Sequence, residues 1–234
     1  MSKFLASVKN KSEAEMVYAA GVDIIDLKDP ARGALGALPI SEIKTIAGRM
    51  KSRTTISATI GDLPADPGIV LPVVETIMKS GVNIIKIGFF PGKQHALATA
   101  LARHACKQKL VAVLFADQKP DIRLLKTLST SHFYGVMLDT AEKNGKGLLG
   151  YMTITEVEKF IRLSHQLHLR CGLAGQLRQA DIPALLSLQP DYLGFRSALC
   201  AGNRTGELSL NSLQQIRKVI PQGQQENDIN QLIA

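Results

Sequence analysis

The sequence predicts a single (β/α)8 barrel, and three observations lead there. Short apolar, β-branched runs recur along the chain, most followed by a longer segment whose apolar positions fall three and four apart. Eight such pairs fit into 234 residues, roughly 29 residues per unit, which matches the repeat of a barrel of about 250 residues. The phrases AAGVDIIDLK and KSGVNIIKIG also share the string small residue, Gly, Val, polar, Ile, Ile, as two helix-to-strand corners of one repeated unit would. A doubly wound open sheet fits less well, because the first strand would run into a Gly-rich fingerprint, and FLASVKNKSEAE contains none.

The strands are expected at 4–8, 22–28, 54–61, 83–90, 109–117, 133–140, 169–175 and 191–198. The helices between and after them are expected at 11–20, 40–49, 68–80, 94–107, 121–130, 153–168, 179–188 and 209–219. Ser12 with Glu15 has the spacing of a capping box for the first helix, and Pro39 or Ser41 opens the second. Gly21 and Gly81 stand where two helices close. The barrel domain spans 1–220, and the polar stretch 221–234, with its short apolar end, reads as a frayed terminus or packing arm.

Composition narrows the function. With 45% hydrophobic and 21% charged residues, and Pro and Gly spread evenly, the chain is neither disordered nor of low complexity. A net charge of +8 favours anionic small molecules. A nucleic-acid partner is not expected, because the basic residues are scattered and aromatics make up only 5% of the chain. No apolar run approaches the roughly 20 residues of a membrane span, and FLASV is interrupted at once by KNKSEAE, unlike an export signal. Cys106, Cys171 and Cys200 are widely spaced and odd in number, so free thiols and a reducing cytoplasm are expected. His165 and His168, three apart on a helix, read as surface residues rather than metal ligands.

In such a barrel, chemistry gathers at the carboxyl ends of the strands. Asp26 and Lys28, two apart, point to the same side of the second strand. Lys86 lies inside an otherwise apolar strand, and Gly88 on its face leaves room for a ligand. Asp139 ends the sixth strand, with Lys143 four residues on, although the run EKNGKG would equally make Lys143 a solvated loop residue. Asp62 follows the third strand, where turn chemistry is the competing reading. Gly175 ends the seventh strand, and Arg196, Gly202 and Arg204 follow the eighth, where barrels commonly bind phosphate. Arg196 has a structural alternative as an inward partner of Asp26 or Asp139. A lysine desolvated near other cations is more easily neutral, and a neutral amine condenses with a carbonyl to give an iminium that acidifies the adjacent carbon. Two lysines and two carboxylates at one mouth therefore suit class I aldolase logic.

The phrases DIIDLKDPARGALGA, SATIGDLP, IKIGFF, MLDTAEKNGKGL, CGLAG and GFRSALCAGNRTG, in order from about residue 4 to 219, strongly resemble the (5-formylfuran-3-yl)methyl phosphate synthases of methanofuran biosynthesis. The resemblance implies a TIM barrel that condenses two glyceraldehyde 3-phosphates into a phosphorylated furan aldehyde, releasing phosphate and water, without metal or organic cofactor. It puts the Schiff-base lysine of the family's DxKxP motif on Lys28 and the second catalytic lysine on Lys86, with Asp26, Asp139 and Lys143 as partners. It further implies a bacterial, methylotroph-type member and a homo-oligomer. Another triose-phosphate aldolase or isomerase on the same barrel is the alternative that the residues by themselves leave open.

Overall fold

A computed structural model describes residues 1–220 of the chain; the stretch 221–234 expected as a tail lies outside the described residues. Eight parallel strands close into a barrel: β1 (Lys3–Val8), β2 (Ile24–Leu27), β3 (Thr55–Thr59), β4 (Ile84–Gly88), β5 (Lys109–Phe115), β6 (Gly135–Asp139), β7 (Arg170–Leu173) and β8 (Tyr192–Phe195). β8 pairs back on β1, with Leu5 opposite Gly194. Outside run α1 (Lys11–Ala19), α2 (Ile40–Met50), α3 (Pro67–Met78), α4 (Gln94–Ala105), α5 (Leu124–Thr130), α6 (Ile154–Gln166), α7 (Ile182–Ser187) and α8 (Leu210–Val219).

The strands read as continuous apolar runs because both of their faces are covered. Phe4, Ala6, Val8, Ile25, Leu27, Ile85 and Ile87 face the helices and belong to the larger core. Leu5, Ile24, Ile84, Val111, Val113, Met137 and Tyr192 alternate with them and fill the barrel interior as a second, separate cluster. The repeated corner motif has a structural reason. After the left-handed glycines Gly21 and Gly81, the polar residue of each copy accepts the amide of a neighbouring strand: Asp23 from Phe4 N at 2.7 Å and Asn83 from Ile56 N at 2.8 Å. Asp191 does the same for Cys171 N.

Several boundaries differ from expectation. α1 is capped by Asn10, whose side chain accepts from Glu13 N, not by Ser12 and Glu15. Asn10 comes first after the strand and its carbonyl reaches the third helical amide, which leaves Ser12 inside the first turn. Glu13 completes the cap by accepting from Lys9 N at 2.9 Å. α5 and α7 start later than expected. Asp121 accepts the Arg123 amide and guanidinium in the turn ahead of α5, and ahead of α7 the residues Gln179–Asp181 form a 3-10 turn that Asp181 caps by accepting from Arg178 N. Pro39 opens α2, and Thr153 with Glu156 forms a capping box on α6. No helix of the described residues is long and apolar enough to cross a membrane.

Candidate active site

The inward positions change character toward the carboxyl end of the barrel. Below lie Leu5, Ile24, Ile84 and Tyr192; above lie Ser7, Asp26, Ser57, Lys86 and Asp139, all buried. Register aligns this layer. Ser7 and Ser57 stand directly opposite Asp26 on the two flanking strands, and Thr59 stands opposite Lys86.

Asp26 has no solvent exposure. Its Oδ2 accepts from Ser7 Oγ and from Lys86 Nζ, both at 2.8 Å, and its Oδ1 accepts from Ser57 Oγ at 2.7 Å. Burial would raise its pKa, but the charges of Lys86 and Lys28 and the hydrogen bonds from Lys86 and Ser57 outweigh that and hold it below the usual carboxylate range.

A second group forms around Asp139. Lys143 Nζ lies 2.7 Å from Asp139 Oδ1 and also donates to the carbonyl oxygen of Thr140. Lys143 is thus drawn into the site rather than solvated. Lys28 Nζ lies 3.7 Å from Asp139 Oδ2, beyond hydrogen-bond reach. Burial brings Lys28 down to about 7; Asp139 opposes this, while Lys143 and Lys86 add to it. Burial works against ionisation of Asp139 too, but Lys143 and Lys28 win and its carboxyl is held far below the usual range. The two buried lysines therefore differ: Lys86 is hydrogen-bonded to its own carboxylate, whereas Lys28 has only the distant oxygen of a carboxylate that Lys143 already engages.

Lys28, Lys86, Asp139 and Lys143 line a narrow cavity of about 30 Å³, and Asp26 lies outside its lining. Gly175, Gly194, Ser197 and Arg204 form its far wall. Gly175, at φ +95°, lets the end of β7 approach β6, since a Cβ there would come within 3.1 Å of Thr140 N. Arg204 is half-buried, and its guanidinium donates from Nη2 to Gly33 O at 3.1 Å. Among the described residues it is the cation of this wall without a salt bridge to a carboxylate, and it lines the cavity.

Other expected residues fall elsewhere. Arg196 borders the cavity, but its guanidinium is closed by a bidentate pair with Glu13 and by the carbonyls of Ser7, Arg204 and Gly206. Its partner is neither Asp26 nor Asp139, because β8 pairs with β1, whose end leads straight into α1 and Glu13. Asp62 is outside the cavity lining; its oxygens accept from Ala34 N and Leu35 N and shape the loop after β2. Gly202 lies on an exposed turn with open space around it, away from the cavity. Gly88 leaves room, but not for a ligand: a Cβ there would meet Phe90 at 2.6 Å and Leu35 at 2.9 Å, so side chains already fill the space. Cys171 is buried, with its thiol pushed up by desolvation, and Cys200 is half-buried among loop carbonyls. Neither lines the cavity.

Sequence reasoning passed over Ser7, Ser57, Glu13, Gln176 and Asp117. The two serines carry a usable signal, since each is a polar residue at an inward position of an otherwise apolar strand. Glu13 and Gln176 carry none, as helical and loop polar residues are common.

A scan of protein-family models matches residues 4–217 to 4-HFC-P synthase. A protein of Methylorubrum extorquens assigned as a (5-formylfuran-3-yl)methyl phosphate synthase is 37% identical over 198 residues, covering 85% of this chain and 82% of that protein. The (5-formylfuran-3-yl)methyl phosphate synthase of Methanosarcina barkeri is 32% identical over 219 residues, 88% of this chain and 94% of the relative. Among solved structures, phosphoribosyl anthranilate isomerase of Thermus thermophilus superposes with a TM-score of 0.67 at 13% identity, covering 94% of this chain and 98% of that one. 3-Hexulose-6-phosphate synthase of Salmonella typhimurium gives 0.65 at 16%, covering 92% and 97%. The two structures bear on the fold alone. With a family model over nearly all described residues and relatives above 30% identity across most of the chain, this protein belongs to the (5-formylfuran-3-yl)methyl phosphate synthase family of methanofuran biosynthesis.

Proposed function

We propose that this chain condenses two molecules of glyceraldehyde 3-phosphate into (5-formylfuran-3-yl)methyl phosphate, with Lys28 as the Schiff-base residue. The observation that carries the reading is the unequal pairing of the two buried lysines. Lys28 lacks a hydrogen-bonded counter-charge and is brought to about 7, so a substantial fraction of its amine is neutral near pH 7. Lys86 is 2.8 Å from Asp26 and retains a partner for its positive charge.

In this mechanism one triose phosphate isomerises to its ketone form, with ion-paired Lys86 as proton donor. The Lys28 amine adds to the aldehyde carbon of the other, and the carbonyl oxygen leaves as water. Loss of the proton beside the iminium carbon and departure of phosphate from the next carbon leave an enol. Its terminal carbon bonds to the carbonyl carbon of the ketone triose. Asp139, 3.7 Å from Lys28 Nζ, stabilises the positive charge of the iminium as it forms, Lys143 beside it serves as proton donor, and the proton lost beside the iminium carbon leaves with the phosphate. Closure of the ring through the ketone triose's hydroxyl, two dehydrations and hydrolysis of the imine release the furan aldehyde. Overall, two trioses yield one furan phosphate, one phosphate and two waters, with no oxidant or reductant. Arg204 and the glycines beside it would receive a substrate phosphate.

The test incubates purified protein with glyceraldehyde 3-phosphate in a metal chelator, following furan absorbance and released phosphate, with Lys28→Ala beside it. Furan and phosphate in equal amounts, both lost in the variant, are expected. Borohydride should trap substrate on Lys28, and persistent trapping on another lysine rejects the assignment. Aldol or isomerised triose without furan would move the protein to a triose-phosphate aldolase or isomerase.

A further inference from the structure

Asp117 sits in the 3-10 turn Ala116–Gln118 that follows β5, whose last residue, Phe115, stands opposite Asp139. Its carboxylate accepts two amides of the loop after β6: Ala141 N on Oδ1 at 2.9 Å and Glu142 N on Oδ2 at 2.7 Å. The next residue is Lys143, which reaches back to Asp139 Oδ1. From the other side, Gln176 Oε1 accepts from Gly145 N at 3.0 Å and Arg178 Nη2 donates to Gly145 O at 3.1 Å. Asp117 thus holds the segment before Lys143, while β7's loop holds the segment after it.

We propose that Asp117 is a positioning residue of the active site: by clamping the two amides that precede Lys143 it keeps that ammonium on Asp139, so that Lys28 is denied a close counter-charge and retains its nucleophilic amine. The assignment rests on the reading of Lys28 as the nucleophile. The charged groups around Lys28 are Asp26 on its own strand, Lys86 on β4, Asp139 on β6, Lys143 on the following loop and Arg204 after β8. Of these, only Lys143 is carried by a loop that Asp117 holds. Released from the clamp, Lys143 would move off Asp139. Lys28 would then lose a repelling cation and gain a freer carboxylate, and both changes favour its protonated form.

The experiment is competitive acetylation with acetic anhydride across pH, reading Lys28 by peptide mass spectrometry in the full chain and in Asp117→Asn and Asp117→Ala. The Lys28 midpoint, near 7 in the unaltered protein, is expected to rise by about one pH unit in Asp117→Ala and by less in Asp117→Asn, which keeps one acceptor. Lys143→Met should move it the same way, and adding Asp117→Ala to Lys143→Met should move it no further. An unchanged midpoint in Asp117→Asn and Asp117→Ala, with only a lower melting temperature, would make Asp117 a loop-stability residue and overturn the proposal. Should Asp117→Ala not fold, the Asn variant decides by the same criterion. Labelling uses no substrate, so a chain that shows the shift yet forms no furan upholds this role and removes the reaction proposed above.

Discussion

Lys86 Nζ sits 2.8 Å from Asp26 Oδ2 across a separation of 60 residues in sequence, inside a barrel layer where the carboxylate has no contact with solvent. Removing one member of such a pair leaves the other as an uncompensated buried charge, which costs on the order of 3–5 kcal/mol. Asp26→Asn and Lys86→Met should each lower urea stability by about that much, and the double variant should lose much less than the sum of the two. Strict additivity would show that the pair is not coupled in this way.

Lys28 makes stability depend on pH. Its folded pKa, about 7, lies below the ordinary 10.5, so between those values the unfolded chain binds more protons and stability rises with pH. The burden of burying the charged form is complete below pH 7 and vanishes above the unfolded value. Lys28→Met should therefore raise the melting temperature, and more at pH 6.5 than at pH 9.5. Equal gains at the two pH values would mean that the lysine is not desolvated in the folded protein.

The two arginines after β8 should fail in different assays. Arg204 is free of carboxylates and lines the cavity; loss of a charged hydrogen bond of about 1.5–3 kcal/mol predicts a KM for triose phosphate higher by roughly 10- to 100-fold in Arg204→Ala. Weaker inhibition by inorganic phosphate should accompany it. Arg196→Ala instead strands buried Glu13, and its expected signature is a loss of about 3–5 kcal/mol of stability. A raised KM in a fully stable Arg196→Ala would reverse the two roles.

Gly88→Ala should be poorly tolerated. The new methyl would meet Phe90 at 2.6 Å, and Phe90 packs against Phe115 with ring centroids 4.4 Å apart. Overpacking of this kind costs about 1–3 kcal/mol. Chemical denaturation would measure it, and a neutral substitution would show that Phe90 swings away freely.

The barrel was legible in the sequence because its causes are local: short continuous apolar, β-branched runs, helical apolar spacing, and a glycine at each repeated corner. Local geometry also revealed that Asp26 and Lys28 share a face, since residues two apart on a strand must; it left Lys143 open as a solvated loop residue, and only the family resemblance made it a partner of the site. Which lysine takes which carboxylate was not legible. Lys28 is two residues from Asp26 but shares Asp139 with Lys143, and Asp26 is taken by Lys86. That choice follows from strand register and barrel closure, which bring together groups far apart in the chain. Arg196 shows the same limit: its partner, Glu13, is 183 residues away. Asp117 shows it too, as its role depends on a loop that reaches it only because β5 and β6 are neighbours. The sequence by itself determined the scaffold and the inventory of charged groups at its mouth. Only tertiary structure decided their pairing, because pairing energies depend on distances and burial that no stretch of chain contains alone.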